Sequence, residues 1–133
     1  MAKRPKFVLH YDEIETAEDR YPERDETFST VYPVGSKAGL QRIGVNIELL
    51  PPKTRTTLPH AESDEEEFVF VLNGSPDLWV DGHTVRLREG DFVGFPAGTG
   101  LTHTIINNTH AEVWLVVGGE SARPQNKVVY PHN

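Results

Sequence analysis

The sequence predicts an all-β domain, an antiparallel sandwich or barrel, and three observations point there. Short apolar runs recur at intervals of roughly 8–12 residues after the first forty positions. Turn-forming pairs separate them, and little in the chain reads at helical spacing. Eleven glycines and ten prolines are scattered between the runs rather than gathered in a linker. With 133 residues the chain makes one domain of ordinary size, able to bury a core without staples.

Residues 1–30 are charged, as in "YDEIETAEDRYPERDE", and are predicted to form an arm over a barrel spanning 31–119. The arm has room for a short helical turn at Ile14–Arg20. The first strand candidate, Leu40–Leu50, alternates Ile43, Val45, Ile47 and Leu49 against Arg42, Asn46 and Glu48. The polar set is read as the pocket-lining face, with Arg42 and Asn46 as substrate-binding residues. Arg42 in particular offers a planar fork for a substrate carboxylate.

Strands follow at Glu67–Leu72, Asp77–Val80, Thr84–Leu87, Asp91–Phe95, Thr102–Ile106 and Glu112–Val117. Asn73-Gly74, Asp81-Gly82, Glu89-Gly90, Asn107-Asn108 and Gly118-Gly119 read as turns between them. Asp81-Gly82 is the strongest hairpin signal, because both residues tolerate positive φ. Trp79 and Trp114 read as core or subunit-contact residues. The tail, 120–133, reads as a loosely docked extension.

Composition narrows the function. The chain has 13 basic and 20 acidic residues, a formal charge of −7, which disfavours nucleic acid and anionic membranes as partners. It has no cysteine, so disulfides, thiolate metal sites and a cysteine nucleophile are excluded. The apolar run Phe7–Leu9 is too short for a secretory leader, and no stretch approaches a bilayer span. A cytoplasmic protein is the expectation.

The chemistry is concentrated in "LPHAESDEEEFVFVLNG" and "GDFVGFPAGTGLTHTIIN". On a strand, His60 and Glu62 point the same way. Glu67 opens an apolar run, where an inward carboxylate is costly unless it is paired or bound to a cation. His103 begins a later strand. Two imidazoles and two carboxylates converging in one barrel suit a divalent cation such as Mn, Fe, Zn or Ni. Spacing alone does not bring them together. Asp64, Glu65 and Glu66 read as a solvated loop, and His10, His83, His110 and His132 as surface residues.

These two blocks resemble the motifs of the cupin superfamily. The first is His60-x-Glu62-x4-Glu67-x6-Gly74, and the second is Gly90-x5-Pro96-x-Gly98-x4-His103-x3-Asn107. The likeness runs from about Leu40 to Val117 and is nearest to small single-domain bacterial cupins (monocupins). It implies a double-stranded β-helix, or jelly roll, with one metal ion held by His60, Glu62, Glu67 and His103. It also implies homodimers. Three departures stand out: Glu62 replaces the usual second histidine, two extra residues precede His103, and Lys53 lies near an expected glycine. Glu62 is therefore either a ligand or a catalytic base.

Two functions fit this reading. One is a metal-dependent enzyme on a small polar molecule such as a sugar, keto acid or hydroxy acid, of isomerase, lyase, decarboxylase or oxygenase type. The other is a non-catalytic small-molecule or sugar-binding barrel.

Overall fold

The recurrent apolar runs become strands of two facing sheets, as the alternation of their side chains requires. The computed structural model describes residues 3–18, 25–121 and 126–130. Strands β1 (Ala17–Glu18), β2 (Thr30–Tyr32), β3 (Ile43–Leu50), β10 (Val113–Glu120), β5 (Glu67–Asn73) and β8 (Phe92–Phe95) form one sheet in the order β1-β2-β3-β10-β5-β8. The second sheet has the order β7-β6-β9, from β7 (His83–Arg86), β6 (Asp77–Val80) and β9 (His103–Ile106). A short pair joins β4 (Ala61–Glu62) to β11 (Val128–Val129). All named pairings are antiparallel, giving the expected all-β jelly roll. No described helix is long and apolar enough to cross a membrane.

The core lies between the sheets. Leu50, Val71, Val113 and Leu115 are completely buried, and Val69, Leu78, Leu87 and Ile105 pack with them. Cross-strand register arranges the inward side chains in rows. Leu50 faces Val113, Leu115 lies between Glu48 and Val71, and Val117 lies between Asn46 and Val69. The next row brings Gly119 beside Glu67, which faces Phe95 on β8. A single face of β5 therefore runs from hydrocarbon at Val71 to a carboxylate at Glu67.

The expected Asp81-Gly82 hairpin is present: φ is 46° at Asp81 and 86° at Gly82, with Val80 opposite His83. The turn expected at Gly118-Gly119 is not, because β10 runs straight through both residues. A Cβ at Gly118 would lie 2.6 Å from the Phe68 ring, and one at Gly119 would lie 2.5 Å from the Glu66 carbonyl. These glycines mark close packing against β5 rather than a reversal.

On β3 the apolar set Ile43, Val45, Ile47 and Leu49 faces outward, while Glu48 and Leu50 face in. Ser29 donates to the buried Glu48 carboxylate at 2.5 Å. The N-terminal segment covers part of that outer face. Gly35, in the single helical turn α1 (Val34–Lys37), packs on Val45, and Tyr11 and Tyr32 pack edge-on and stacked against Trp114. The described part of Ile14–Arg20 is extended, with the helical turn displaced to a 3-10 turn at Tyr11–Glu13. Asp12 N donates to His10 Nδ1 there, so the His10 side chain caps the turn at that position.

The described part of the tail, residues 126–130, is paired to the barrel rather than loosely docked. Along β4, Val128 pairs with Glu62 and Val129 with Ala61. Asn126 Oδ1 accepts from the backbone N–H of Asp64 at 2.8 Å and of Glu65 at 3.1 Å. Ser63 Oγ accepts from Lys127 N at 2.6 Å. Asp64 and Glu65 are thus half-buried and tied down rather than freely solvated, while Glu66 is exposed as expected.

Candidate metal centre

Segment 54–60 runs antiparallel along β9, and this pairing makes the site. Asn107 N donates to the Thr54 carbonyl and Thr56 N to the Ile105 carbonyl. At the far end His60 and His103 exchange both backbone hydrogen bonds, at 3.2 and 2.9 Å. Directly opposed residues of an antiparallel pair put their side chains on one face. Two histidines distant in sequence therefore become cross-strand neighbours, with ring centroids 4.7 Å apart.

Glu67 completes the group from the facing sheet. Its Oε1 lies 3.3 Å from His60 Nε2 and 3.1 Å from His103 Nε2. Donor atoms of these three residues all fall within 4.8 Å of one another, and both imidazoles are buried. His60 Nδ1 lies 3.1 Å from the Leu58 carbonyl, and His103 Nδ1 lies 3.3 Å from the Leu101 carbonyl. A carbonyl oxygen only accepts, so these contacts favour the proton on Nδ1, the tautomer that frees Nε2 to bind a cation. Phe95 stacks on the His103 ring at 3.7 Å and 9°, fixing its plane.

At these separations each Nε2 and the Glu67 oxygen share either a proton or a cation. Donors held about 2.1 Å from one cation, roughly 90–110° apart, stand about 3.0–3.4 Å from each other. The observed separations match, so this His-His-Glu group could hold a metal ion. The nitrogen and oxygen donors do not select among Mn, Fe, Zn and Ni. A second group, His10, Asp12 and Glu13, is fully exposed.

Glu62 stands outside the three-residue group but lines the same cavity as Glu67 and His103. Its Oε2 is the only buried side-chain polar atom without a hydrogen-bond partner among the described residues. Burial, reinforced by the neighbouring Glu67 charge, pushes its carboxyl up to about 7. For Glu67 burial also acts upward, but hydrogen bonds with His103 and His60 override it and hold the carboxyl at about 2. Burial lowers His60, yet its interactions with Glu67 outweigh that, and the net shift is upward.

Of the two residues expected to bind substrate, Asn46 lines a hollow shared with Glu62 and Glu67. Arg42 is exposed and sits in a separate surface hollow with Gly39–Ile43, so the fold does not bring it to this group. His83 and His110 are exposed as expected, and His132 lies outside the described residues. Sequence reasoning missed Tyr130, whose ring centre is 6.0 Å from that of His60, and Phe95. The β-branched pair in "KVVY" was the available sign that the tail forms a strand.

A search of curated proteins finds no match. Among solved structures the chain is similar to a sugar phosphate isomerase of the cupin superfamily from Silicibacter pomeroyi. The two are 30% identical over 95% of this chain and 82% of that one, with a TM-score of 0.86. It is also similar to a candidate sugar phosphate isomerase from Acidithiobacillus ferrooxidans, with 26% identity, 95% and 81% coverage and a TM-score of 0.85. A polyketide cyclase from Streptomyces resistomycificus shares the fold at 22% identity and a TM-score of 0.75, over 100% of this chain and 89% of that one. The family model described as a cupin domain matches residues 46–118, which include His60, Glu67 and His103. More than half of the chain is matched, and the chain belongs to the cupin superfamily.

Proposed function

We propose that this cupin is a divalent-metal-dependent enzyme that moves a proton on a small hydroxy carbonyl compound. The observation carrying the reading is the convergence of His60 Nε2, His103 Nε2 and Glu67 Oε1, each nitrogen oriented by a backbone carbonyl behind it. A divalent cation held there supplies Lewis acidity, drawing electron density from a carbonyl oxygen. Glu62 lines the adjoining cavity and acts as the base, rather than as a fourth ligand. It takes the proton from the carbon beside the carbonyl and returns it to the neighbouring carbon. The hydroxyl proton passes to the former carbonyl oxygen, so the product is an isomer and nothing else is consumed. The similarity to the Silicibacter isomerase supports this reaction type.

The test has two parts. Purified without a metal-affinity step, the protein should bind one equivalent of Zn²⁺, Mn²⁺ or Ni²⁺, and Glu67→Gln should bind at least ~10-fold more weakly. In D₂O the metal-loaded enzyme should exchange the carbon-bound proton of a hydroxy carbonyl substrate. Glu62→Gln should keep the metal and lose the exchange. A melting curve indifferent to all three metals and to chelator would remove the metal site. Binding of a compound without exchange would instead identify a non-catalytic binding barrel.

A homodimer belongs to the same proposal. Ile43 and Phe92 are 54% and 63% exposed on the outer face of the larger sheet, beside Phe68, which stacks on Phe92. Exposed apolar side chains grouped on one sheet face suit a second copy. Light scattering should give twice the chain mass, falling to one chain for Phe92→Glu.

A further inference from the structure

The cavity beside Glu67 and His103 is divided by chemistry. Glu62, Glu65, Glu67 and His103 supply its charged and imidazole groups and Thr99 a hydroxyl, while Leu78, Val80, Val93 and Phe95 form an apolar wall beside them, with Val80 paired to His103 and Phe95 stacked on its ring. That wall is continuous with the core: Leu78 is part of the buried cluster, and Val80, Val93 and Phe95 pack against it. These four side chains are hydrocarbon and offer no hydrogen bond, and Thr99 brings the one hydroxyl of the described lining. No Lys or Arg is among the cavity's described lining residues. The partly open hollow has a volume of about 130 Å³. Apolar cavities of ~150 Å³ admit benzene, so this slightly smaller one takes an apolar body of about six non-hydrogen atoms.

From these walls we infer the substrate class: a compact, uncharged molecule with a hydrocarbon ring or branched body, carrying adjacent hydroxyl and carbonyl oxygens at one end. The inference rests on the proposed function, because the oxygen-bearing end is what faces the His-His-Glu group. Each methylene set against the wall gains about fourfold in affinity. Each substrate hydroxyl turned to the same wall loses its water and finds no partner, a loss of about tenfold. The described lining holds three carboxylates, Glu62, Glu65 and Glu67, and no Lys or Arg, so beyond the metal itself no cation is placed to receive a phosphate. The proton-transfer chemistry of a sugar isomerase is therefore kept while a phosphorylated polyol is turned away.

The test uses 2-hydroxycyclohexanone and erythrose, matched in size and in their hydroxy carbonyl unit, with erythrose 4-phosphate as the charged member. Binding to the Zn-loaded protein is followed by calorimetry and saturation-transfer NMR, with zinc content measured on the same samples. The expected result is at least a ~10-fold preference for 2-hydroxycyclohexanone over both sugars. Val93→Thr, which keeps the shape and adds a hydroxyl, should cut that preference about fivefold while leaving zinc content unchanged, with a slightly lower melting temperature. Val80→Thr should act in the same direction. Equal or tighter binding of either sugar, or no preference at all, overturns the inference. If one equivalent of zinc is still bound, the metal centre survives that result; if zinc is absent but the preference persists, the metal reading fails and the wall reading stands.

Discussion

The interior of the barrel has a floor and a rim, built from the same strands by opposite means. At the floor, Leu50, Val71, Val113 and Leu115 are wholly buried and interchangeable in kind, held only by shape and exclusion of water. At the rim, Glu67 occupies the inward face of β5 two rows above Val71, and His60 and His103 face it across the cavity. Floor energies scale with area; rim energies depend on individual atoms having partners. The floor fixes the register that makes the rim possible, and the rim concentrates charge that only a cation or proton relieves.

The largest expected effect is at the floor. Leu115→Ala should cost ~3 kcal/mol of stability, read by denaturant unfolding, since the completely buried side chain leaves a cavity that rigid strands cannot fill. Metal affinity of the molecules that remain folded should change less than ~3-fold. A change larger than that would show that floor and rim are not separable.

Next comes metal occupancy. Saturation at about 100 times Kd should stabilise the fold by ~2.7 kcal/mol, and chelator should reverse it. Thermal melting with and without Zn²⁺ checks this.

The pH dependence of the metal-free protein follows in size. Glu67, depressed to about 2, contributes stability above its unfolded value of 4.5 that is lost as pH falls below it. His60, raised above 6.5, contributes stability below 6.5 that is lost as pH rises through its folded value. Glu62, raised to about 7, adds a penalty that is relieved as pH falls from 7 toward 4.5 and is full above 7. Metal-free stability should therefore peak between about pH 4.5 and 6.5. For Glu62, part-exposed at the cavity, the loss toward pH 8 is ~1 kcal/mol after solvent screening. Chelator-treated Glu62→Gln should lack that part of the slope in melts at pH 5.5 and 8.

A smaller effect tests the strap behind the rim. Asn126→Ala removes the acceptor for two backbone donors of the acidic loop and should weaken zinc binding roughly 3–10-fold in a competition titration. Smallest is Lys53→Gly. Lys53 holds φ of 65°, a left-handed conformation that disfavours side chains, so glycine should stabilise by up to ~1 kcal/mol in urea unfolding.

The contrast also explains what the sequence disclosed. Floor and strands were legible because alternation and turn chemistry are local: the Asp81-Gly82 hairpin and the β5 and β6 runs appear within a residue of expectation. Glu67 was legible as an inward carboxylate because it heads an apolar run. The partnership of His60 with His103 was legible only through the resemblance to the two cupin motifs, since physically it depends on segment 54–60 choosing β9, a long-range pairing that neither stretch encodes alone. The Gly118-Gly119 error has the same root. Whether a glycine turns the chain or admits a neighbour depends on that neighbour, here Phe68.

The opposed backbones of His60 and His103 carry one more consequence. Side chains alternate along a strand, so a single-residue slip between segment 54–60 and β9 would swing one imidazole outside the barrel. A mis-threaded molecule would then offer its chelating trio incomplete. Cation uptake would thus serve as a proofreading signal for folding, sorting faithfully threaded chains from those that collapsed one notch out of step.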